Sequence, residues 1–231
     1  MSKLNKSKGN MYSWVTHTWS PVIGCMHQCD YCYVKTYRDL PTIPFINGPF
    51  PSLGTGNTIF VGHMCDMFAT NVEKIVIDSI LKHCNNFTNT YVFQTKNPKR
   101  FLDFEFPTNS ILGTTIETNR DDLVATFSKA PAPSERGKYI GKLYNHVETF
   151  VTIEPILDFD VDEFIQLMLI ANPTFINIGA DSKRHGLPEP SGEKIISFIN
   201  SISPYIEIRE KVNLTRLVGD SEIVRRYTTP L

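Results

Sequence analysis

Three of the chain's five cysteines fall within eight residues, in Gly24-Cys25-Met26-His27-Gln28-Cys29-Asp30-Tyr31-Cys32-Tyr33. No other stretch limits the fold and chemistry as tightly. Thiolates at this spacing can ligate three irons of a four-iron cluster, and so short a loop has no fourth thiolate, which leaves the last iron open to an outside ligand. Two other chemistries compete. A structural zinc site is closed, four-coordinate and rich in cysteine, with His27 or the distant Cys65 as its available fourth ligand. Zinc ligands usually come as two couples, however, and there is no second couple here. A disulfide fits less well: five cysteines is an odd number, no secretory segment is read ahead of them, and disulfides suit oxidising compartments.

At 231 residues the chain is long enough for one sizeable core. With 41% hydrophobic and 20% charged residues the composition is globular. No apolar run approaches the roughly 18 residues of a membrane span, so a cytoplasmic protein without a membrane partner is expected. The net charge of −1 advertises no nucleic-acid partner, although a neutral protein can carry a local basic patch. Residues 1–11 hold Lys3, Lys6 and Lys8 among small polar residues and read as a disordered basic tail, which leaves 12–231 as a single domain.

Apolar periodicity organises the rest. A first strand is expected within Tyr12 to Ile23, followed directly by the cysteine loop and then by an irregular, proline-rich excursion to Asn57. Short apolar runs then alternate with helical stretches. Strands at 58–62, 90–94, 111–117, 149–154 and 175–179 are followed by helices at 71–84, a short one after Pro98, 120–129 with 135–145, 161–171 and 192–202. Residues 206–211 suggest a last edge strand. Six strand–helix units predict an α/β fold with a parallel sheet and outer helices, two units short of an eight-unit barrel. A flat doubly wound sheet is the alternative, but no Gly-x-Gly-x-x-Gly turn supports it.

In barrels the active site lies at the C-terminal ends of the strands. Here the runs end in Gly62-His63-Met64-Cys65-Asp66, Gln94-Thr95-Lys96-Asn97, Glu117-Thr118-Asn119, Glu154-Pro155 and Gly179-Ala180-Asp181-Ser182. On the barrel reading, these polar endings share one rim with the cysteine loop.

The Cys-x3-Cys-x2-Cys spacing, with Tyr31 just before the third cysteine, resembles the signature of the radical S-adenosylmethionine (SAM) superfamily. The ordered pieces Trp19-Ser20-Pro21-Val22-Ile23-Gly24-Cys25, Met64-Cys65-Asp66-Met67-Phe68, Gln94-Thr95-Lys96-Asn97-Pro98, Thr115-Ile116-Glu117, Ile153-Glu154-Pro155-Ile156 and Ile178-Gly179-Ala180-Asp181 resemble a phage and bacterial group related to the spore photoproduct lyase branch. The resemblance implies a partial six-unit barrel. It also implies a [4Fe-4S] cluster on Cys25, Cys29 and Cys32, and an S-adenosylmethionine bound to the open iron and cleaved by one electron to a 5′-deoxyadenosyl radical. An electron donor is required as a partner. This chain departs from the group in its compact first cysteine spacing, where many members carry an insertion, and in Ala180-Asp181, where a Gly and a Glu are common.

Within that reading Glu117 and Asn119 suit the SAM ribose, Lys96 its carboxylate, Gly62 a close approach of its amino group, and Tyr31 the region of the cluster and adenine. Glu154 belongs to the same lining. Cys65 is a candidate hydrogen-atom donor, Asp66 a candidate for orienting substrate, and Cys84 a packing residue. Lys183-Arg184-His185 with Lys99-Arg100 would form a basic cluster at the mouth and favour a phosphate-bearing substrate. A nucleotide or nucleic acid is the first expectation for that substrate, and a peptide or partner protein the second. The competing class is a non-catalytic scaffold stabilised by zinc or by a structural cluster.

Overall fold

The apolar runs pair in chain order. The computed structural model describes residues 2–219. It contains strands β1 (Leu4–Lys6), β2 (His17–Trp19), β3 (Val22–Ile23), β4 (Phe45–Ile46), β5 (Thr58–Val61), β6 (Thr90–Thr95), β7 (Ser110–Thr115), β8 (Glu148–Ile153), β9 (Phe175–Ile178) and β10 (Glu207–Glu210). Eight of them form one sheet in the order β1-β2-β5-β6-β7-β8-β9-β10. From β2 to β10 every neighbouring pair is parallel. Helices α1 (Lys74–Cys84), α2 (Asp121–Ala125), α3 (Pro133–Gly141), α4 (Val161–Ala171), α5 (Gly192–Ile202) and α6 (Thr215–Val218) connect or follow these strands. This is a partial TIM-like barrel with outer helices. Among the described residues, no helix is long and apolar enough to cross a membrane.

Local chemistry explains the element limits. Ser191 caps α5 by accepting a hydrogen bond from the Lys194 N–H at 3.3 Å, as a serine at a helix N-terminus does. The α4 helix ends where Asn172 turns left-handed at φ 42°, a conformation asparagine tolerates. The first expected strand is interrupted instead: β2 and β3 flank Ser20-Pro21, and β3 leaves the main sheet to pair with β4.

The N-terminal segment corrects the expectation of a solvated tail. Leu4 to Lys6 pair antiparallel with Trp19 to His17, and the buried Ser2 hydroxyl accepts a hydrogen bond from the Trp19 indole at 2.6 Å. Trp19 is fully buried on a strand that would otherwise be the sheet edge. Covering it orders a segment whose own composition is polar. The Lys211 ammonium then donates to the Asn10 carbonyl at 2.7 Å, so the loop before β2 reaches across to the chain just after β10.

The core has two parts. Outward strand faces pack on the helices through residues such as Ile153, Ile176, Phe164 and Phe198, while Tyr12, Val15, Phe60, Val92, Phe150 and Phe175 form a separate cluster. In the second cluster Phe150 and Phe175 stack at 5.3 Å, and Trp14 meets both edge-on. These rings alternate along their strands with the outward residues, so they fill the concave side beneath the strand ends. Cys84 is fully buried at the end of α1 and serves packing.

Candidate functional site

Above that aromatic plug the ends of β2 and of β5 to β8 open into one cavity of about 820 Å³. Its lining brings together Cys25, Cys29, Cys32 and Cys65, along with Tyr31, Gly62, Asp66, Lys96 and Glu154. Glu117 and Asn119 are not in the lining. The floor is a polar chain absent from the sequence reading. The Tyr12 hydroxyl donates to Gln94 at 2.8 Å and lies 2.6 Å from Thr152 Oγ1, while the Gln94 amide donates to Thr115 Oγ1 at 2.9 Å.

The cysteine loop is held by its backbone. Gly24 adopts φ 109°, and a Cβ there would sit 2.8 Å from the Ile43 carbonyl oxygen, so only glycine fits. The Cys25 N–H donates to the Pro41 carbonyl at 2.8 Å, the Asp30 N–H to Phe127 at 2.8 Å, and the His27 carbonyl accepts from the Lys129 N–H at 2.7 Å. Gln28, left-handed at φ 52°, donates through its side chain to the Cys25 carbonyl at 3.0 Å. These contacts come from both flanks and leave the sulfurs to the cavity. Only Cys29 has a side-chain partner, Ser128 Oγ at 3.1 Å.

Opposite the loop, Gly62 ends β5 at φ 89° and turns the chain so that Cys65 meets Gly24 in a bridge. Asp66 follows, buried, with every acceptor position taken. Oδ1 receives the Phe68 N–H at 3.0 Å and the Thr95 hydroxyl at 2.7 Å, and Oδ2 receives the Lys96 N–H at 2.7 Å and His27 Nε2 at 3.0 Å. A carboxylate offers about four lone-pair sites, so none remains for a substrate. Burial opposes its ionisation, but the bonds from His27, Thr95 and Lys96 prevail and hold its carboxyl below the usual range. Asp66 is therefore a joint between the cysteine loop and the end of β6, at the cavity wall.

Glu117 is likewise internal. It is fully buried; Oε1 accepts from the Tyr31 hydroxyl at 2.6 Å and from the Lys96 ammonium, and Oε2 accepts from Arg136 at 2.7 Å. Burial works against its charge, yet Arg136 and Lys96 keep it ionised. Its effect on the cavity is indirect, since it fixes Tyr31 and places Lys96 Nζ 5.1 Å from the centre of the Tyr31 ring. Asn119 instead donates to Asp160 at 3.3 Å and accepts its N–H at 2.9 Å. Of the two residues expected at the ribose, both are bonded to neighbouring elements and neither lines the cavity.

Glu154 lines the cavity from the β8 end, but four groups hold it. Asn10, Ser182 and Asn213 donate to Oε1 at 2.9, 3.1 and 2.8 Å, and Lys211 donates to Oε2 at 2.6 Å. The mouth carries a basic rim of a different make-up from the one expected. Lys183 and His185 line the cavity, joined by Lys6 and Lys8 from the N-terminal segment. Lys99 and Arg100 lie elsewhere: Arg100 donates to the Val72 carbonyl at 2.9 Å, and Lys99 sits over the Tyr139 ring. His185 is bonded to Asp181 at 2.7 Å. His63 is bonded to Ser20 at 2.8 Å, and burial lowers its pKa to about 4.

Burial keeps the thiols of Cys25, Cys32 and Cys65 in their protonated form. Burial, then the nearby Asp66 charge, pushes the Cys25 thiol up to about 12, and burial also raises Cys32 and Cys65. A bound iron would replace the proton, since the thiolate is the metal ligand. Among the described residues, no three His, Cys, Asp or Glu side chains already converge as a metal-ligand set. His27, buried in the lining, leaves Nδ1 without a partner among the described residues.

No protein-family model matches the chain, and no curated protein matches it. Among solved structures, a single-site mutant of spore photoproduct lyase is similar over 89% of this chain and 78% of its own, with a TM-score of 0.64 and 10% identity. Another mutant of that enzyme, with a dinucleoside spore photoproduct, covers the same shares at a TM-score of 0.62 and 11% identity. Streptococcus suis SuiB bound to S-adenosylmethionine is similar over 90% of this chain and 54% of its own, with a TM-score of 0.55 and 11% identity. This chain thus spans about half the length of SuiB. These likenesses are of fold: a mostly parallel partial barrel with outer helices.

Proposed function

We propose that the protein is a radical SAM enzyme in which Cys25, Cys29 and Cys32 hold a [4Fe-4S] cluster and the cavity takes S-adenosylmethionine. One observation carries this reading: three thiols on one short loop, of which only Cys29 has a side-chain partner, open into a single cavity at the strand ends. When bound and reduced, the cluster supplies the electron that cleaves SAM to a 5′-deoxyadenosyl radical. The chain's own residues bind and orient. Lys96 offers a cation to the methionine carboxylate, because Arg136 and Lys96 together outweigh the single charge of Glu117. Tyr31, fixed by Glu117, walls the site beside the cysteines, and Gly62 opens its edge. Cys65 lines the same cavity and is kept as a thiol by burial, the form in which a sulfur can return a hydrogen atom to a product.

The substrate class proposed is a nucleotide or nucleic acid. Lys6, Lys8 and Lys183 stand at the mouth, and Lys183 Nζ lies 5.4 Å from the centre of the exposed Tyr37 ring. Cations beside an exposed aromatic ring suit a phosphate backbone with an unstacked base. The enzyme reading is tested by anaerobic reconstitution and assay of SAM for 5′-deoxyadenosine, with Cys29→Ala as control. The substrate reading is tested by titrating a fluorescent single-stranded oligonucleotide at several salt concentrations. Binding that weakens with salt, and weakens further in Lys8→Ala/Lys183→Ala, is expected; binding indifferent to both would overturn it.

A further inference from the structure

The floor of the cavity is a run of neutral hydrogen-bonding groups with no part in the binding of SAM or of phosphate described above. Tyr12, Gln94, Thr115 and Thr152 all line it, and their protons can be counted. Tyr12 has one hydroxyl proton and gives it to Gln94 Oε1 at 2.8 Å. The bond of 2.6 Å between the Tyr12 and Thr152 hydroxyls then carries the Thr152 proton, so neither of these groups has a donor left. Gln94 gives one of its two amide protons to Thr115 Oγ1 at 2.9 Å. Its second amide proton and the hydroxyl proton of Thr115 reach no acceptor among the described residues. Two donors whose heavy atoms lie 2.9 Å apart therefore remain on the cavity lining.

The barrel fixes this pair and keeps its surroundings neutral. Gln94 on β6 is in register with Gly113 on β7, and Gly113 with Phe150 on β8. The Phe150 ring occupies the space that a Cβ at Gly113 would take and so closes the barrel one layer below Thr115. Burial holds Tyr12 as the neutral phenol, and Lys211, 5.2 Å from the centre of its ring, is committed to Glu154 at 2.6 Å. An anion seated on this floor would exchange its water for neutral donors alone, which is costly. A carbonyl oxygen instead has two lone pairs for the two donors. Phe60, 6.1 Å from Tyr12 between ring centres, adds an aromatic surface to the same floor, which suits a planar ring.

We infer that Gln94 and Thr115 form a base-reading subsite: together they donate two hydrogen bonds to one carbonyl oxygen of a nucleobase inserted into the barrel. The subsite selects thymine, uracil, guanine or cytosine over adenine, which has no carbonyl. The inference rests on the nucleic-acid reading above and names the part of the substrate that reaches the floor. The lysines of the mouth hold phosphates, which carry no sequence information, and the floor supplies the preference.

The test titrates two fluorescent single-stranded octanucleotides into the full chain. Each carries one base on an otherwise abasic backbone: thymine in the first, and in the second 2,4-difluorotoluene, which has the shape of thymine but no carbonyl. The wild-type protein is expected to bind the thymine octamer about tenfold more tightly. Thr115→Val removes one donor at nearly constant shape and should cut the preference to about threefold. Gln94→Glu still accepts from Tyr12 and takes the Thr115 proton as well, so no donor is left; it should abolish the preference while its added charge weakens both octamers alike. Thr115→Ser keeps the hydroxyl and should retain most of the preference. Thermal unfolding of each variant reports folding separately, and the affinity of both threonine variants for the difluorotoluene octamer should match the wild type. Equal binding of the two octamers by the wild-type protein, or an undiminished preference in Thr115→Val and Gln94→Glu, would overturn the base-reading subsite alone. A wild-type protein that binds neither octamer would overturn the nucleic-acid reading on which it rests.

Discussion

The two sides of the cavity treat their polar groups in opposite ways. On the β5 to β8 side, Asp66 and Glu154 each accept four hydrogen bonds or ion pairs from within the protein, and Glu117 accepts three, from Tyr31, Lys96 and Arg136. On the cysteine-loop side, the thiols of Cys25 and Cys32 have no side-chain partner and His27 Nδ1 is orphaned. Groups saturated by the protein hold the architecture, and the thiols that line the cavity are available to a ligand. The carboxylates that looked most like binding residues are therefore mostly struts, and the site's chemistry concentrates on the loop.

This contrast predicts a division of effects, stability falling on one side and cofactor uptake on the other. The largest loss of stability should come from Arg136→Met, which leaves the fully buried Glu117 short of its main cation. Breaking such a pair costs about 3–5 kcal/mol, measured by denaturant unfolding of the apoprotein. Adding Glu117→Leu should recover most of that loss, because no buried carboxylate is then stranded. Lys211→Met should cost less, about 1–3 kcal/mol, since Glu154 keeps three other donors and is only half-buried. Cys29→Ala should cost the apoprotein about 1 kcal/mol and yet abolish cluster uptake, read as iron and sulfide per chain. If Cys29→Ala proved as destabilising as Arg136→Met, the contrast between the two sides would fail.

Much of this architecture could be read from local pattern. The limits of α4 and α5 followed from apolar spacing and end signals, and the strand ends were found to within a few residues because parallel buried strands are short apolar runs. The cysteine loop was legible because ligand spacing is local. The sequence did not reveal which strand-end residue meets which partner, since that depends on contacts between distant positions. Arg136 lies 19 positions from Glu117 and sits in a helix whose sequence carries no sign of a buried charge. The role of Lys6 and Lys8 was hidden in a polar segment that is ordered only because Trp19 needs cover. Lys99 and Arg100 misled for the converse reason: adjacent cations follow β6, but the chain turns there and carries them onto Val72 and Tyr139.

A pH dependence is also expected. Burial lowers His63 to about 4 from an ordinary 6.5, so the unfolded chain takes up a proton in that interval that the folded protein refuses. The stability this residue contributes is complete above pH 6.5, is lost as pH falls toward 4, and does not change further below that. His63→Gln should flatten the slope of apoprotein stability between pH 4 and 6.5; an unchanged slope would mean that His63 is more accessible to water than its surroundings indicate.

The most direct test of the central claim is the formation of 5′-deoxyadenosine from S-adenosylmethionine by the anaerobically reconstituted, dithionite-reduced protein. The account predicts about four irons per chain and 5′-deoxyadenosine that disappears in Cys29→Ala. Zinc in place of iron, or intact S-adenosylmethionine in the presence of a fully formed cluster, would contradict it.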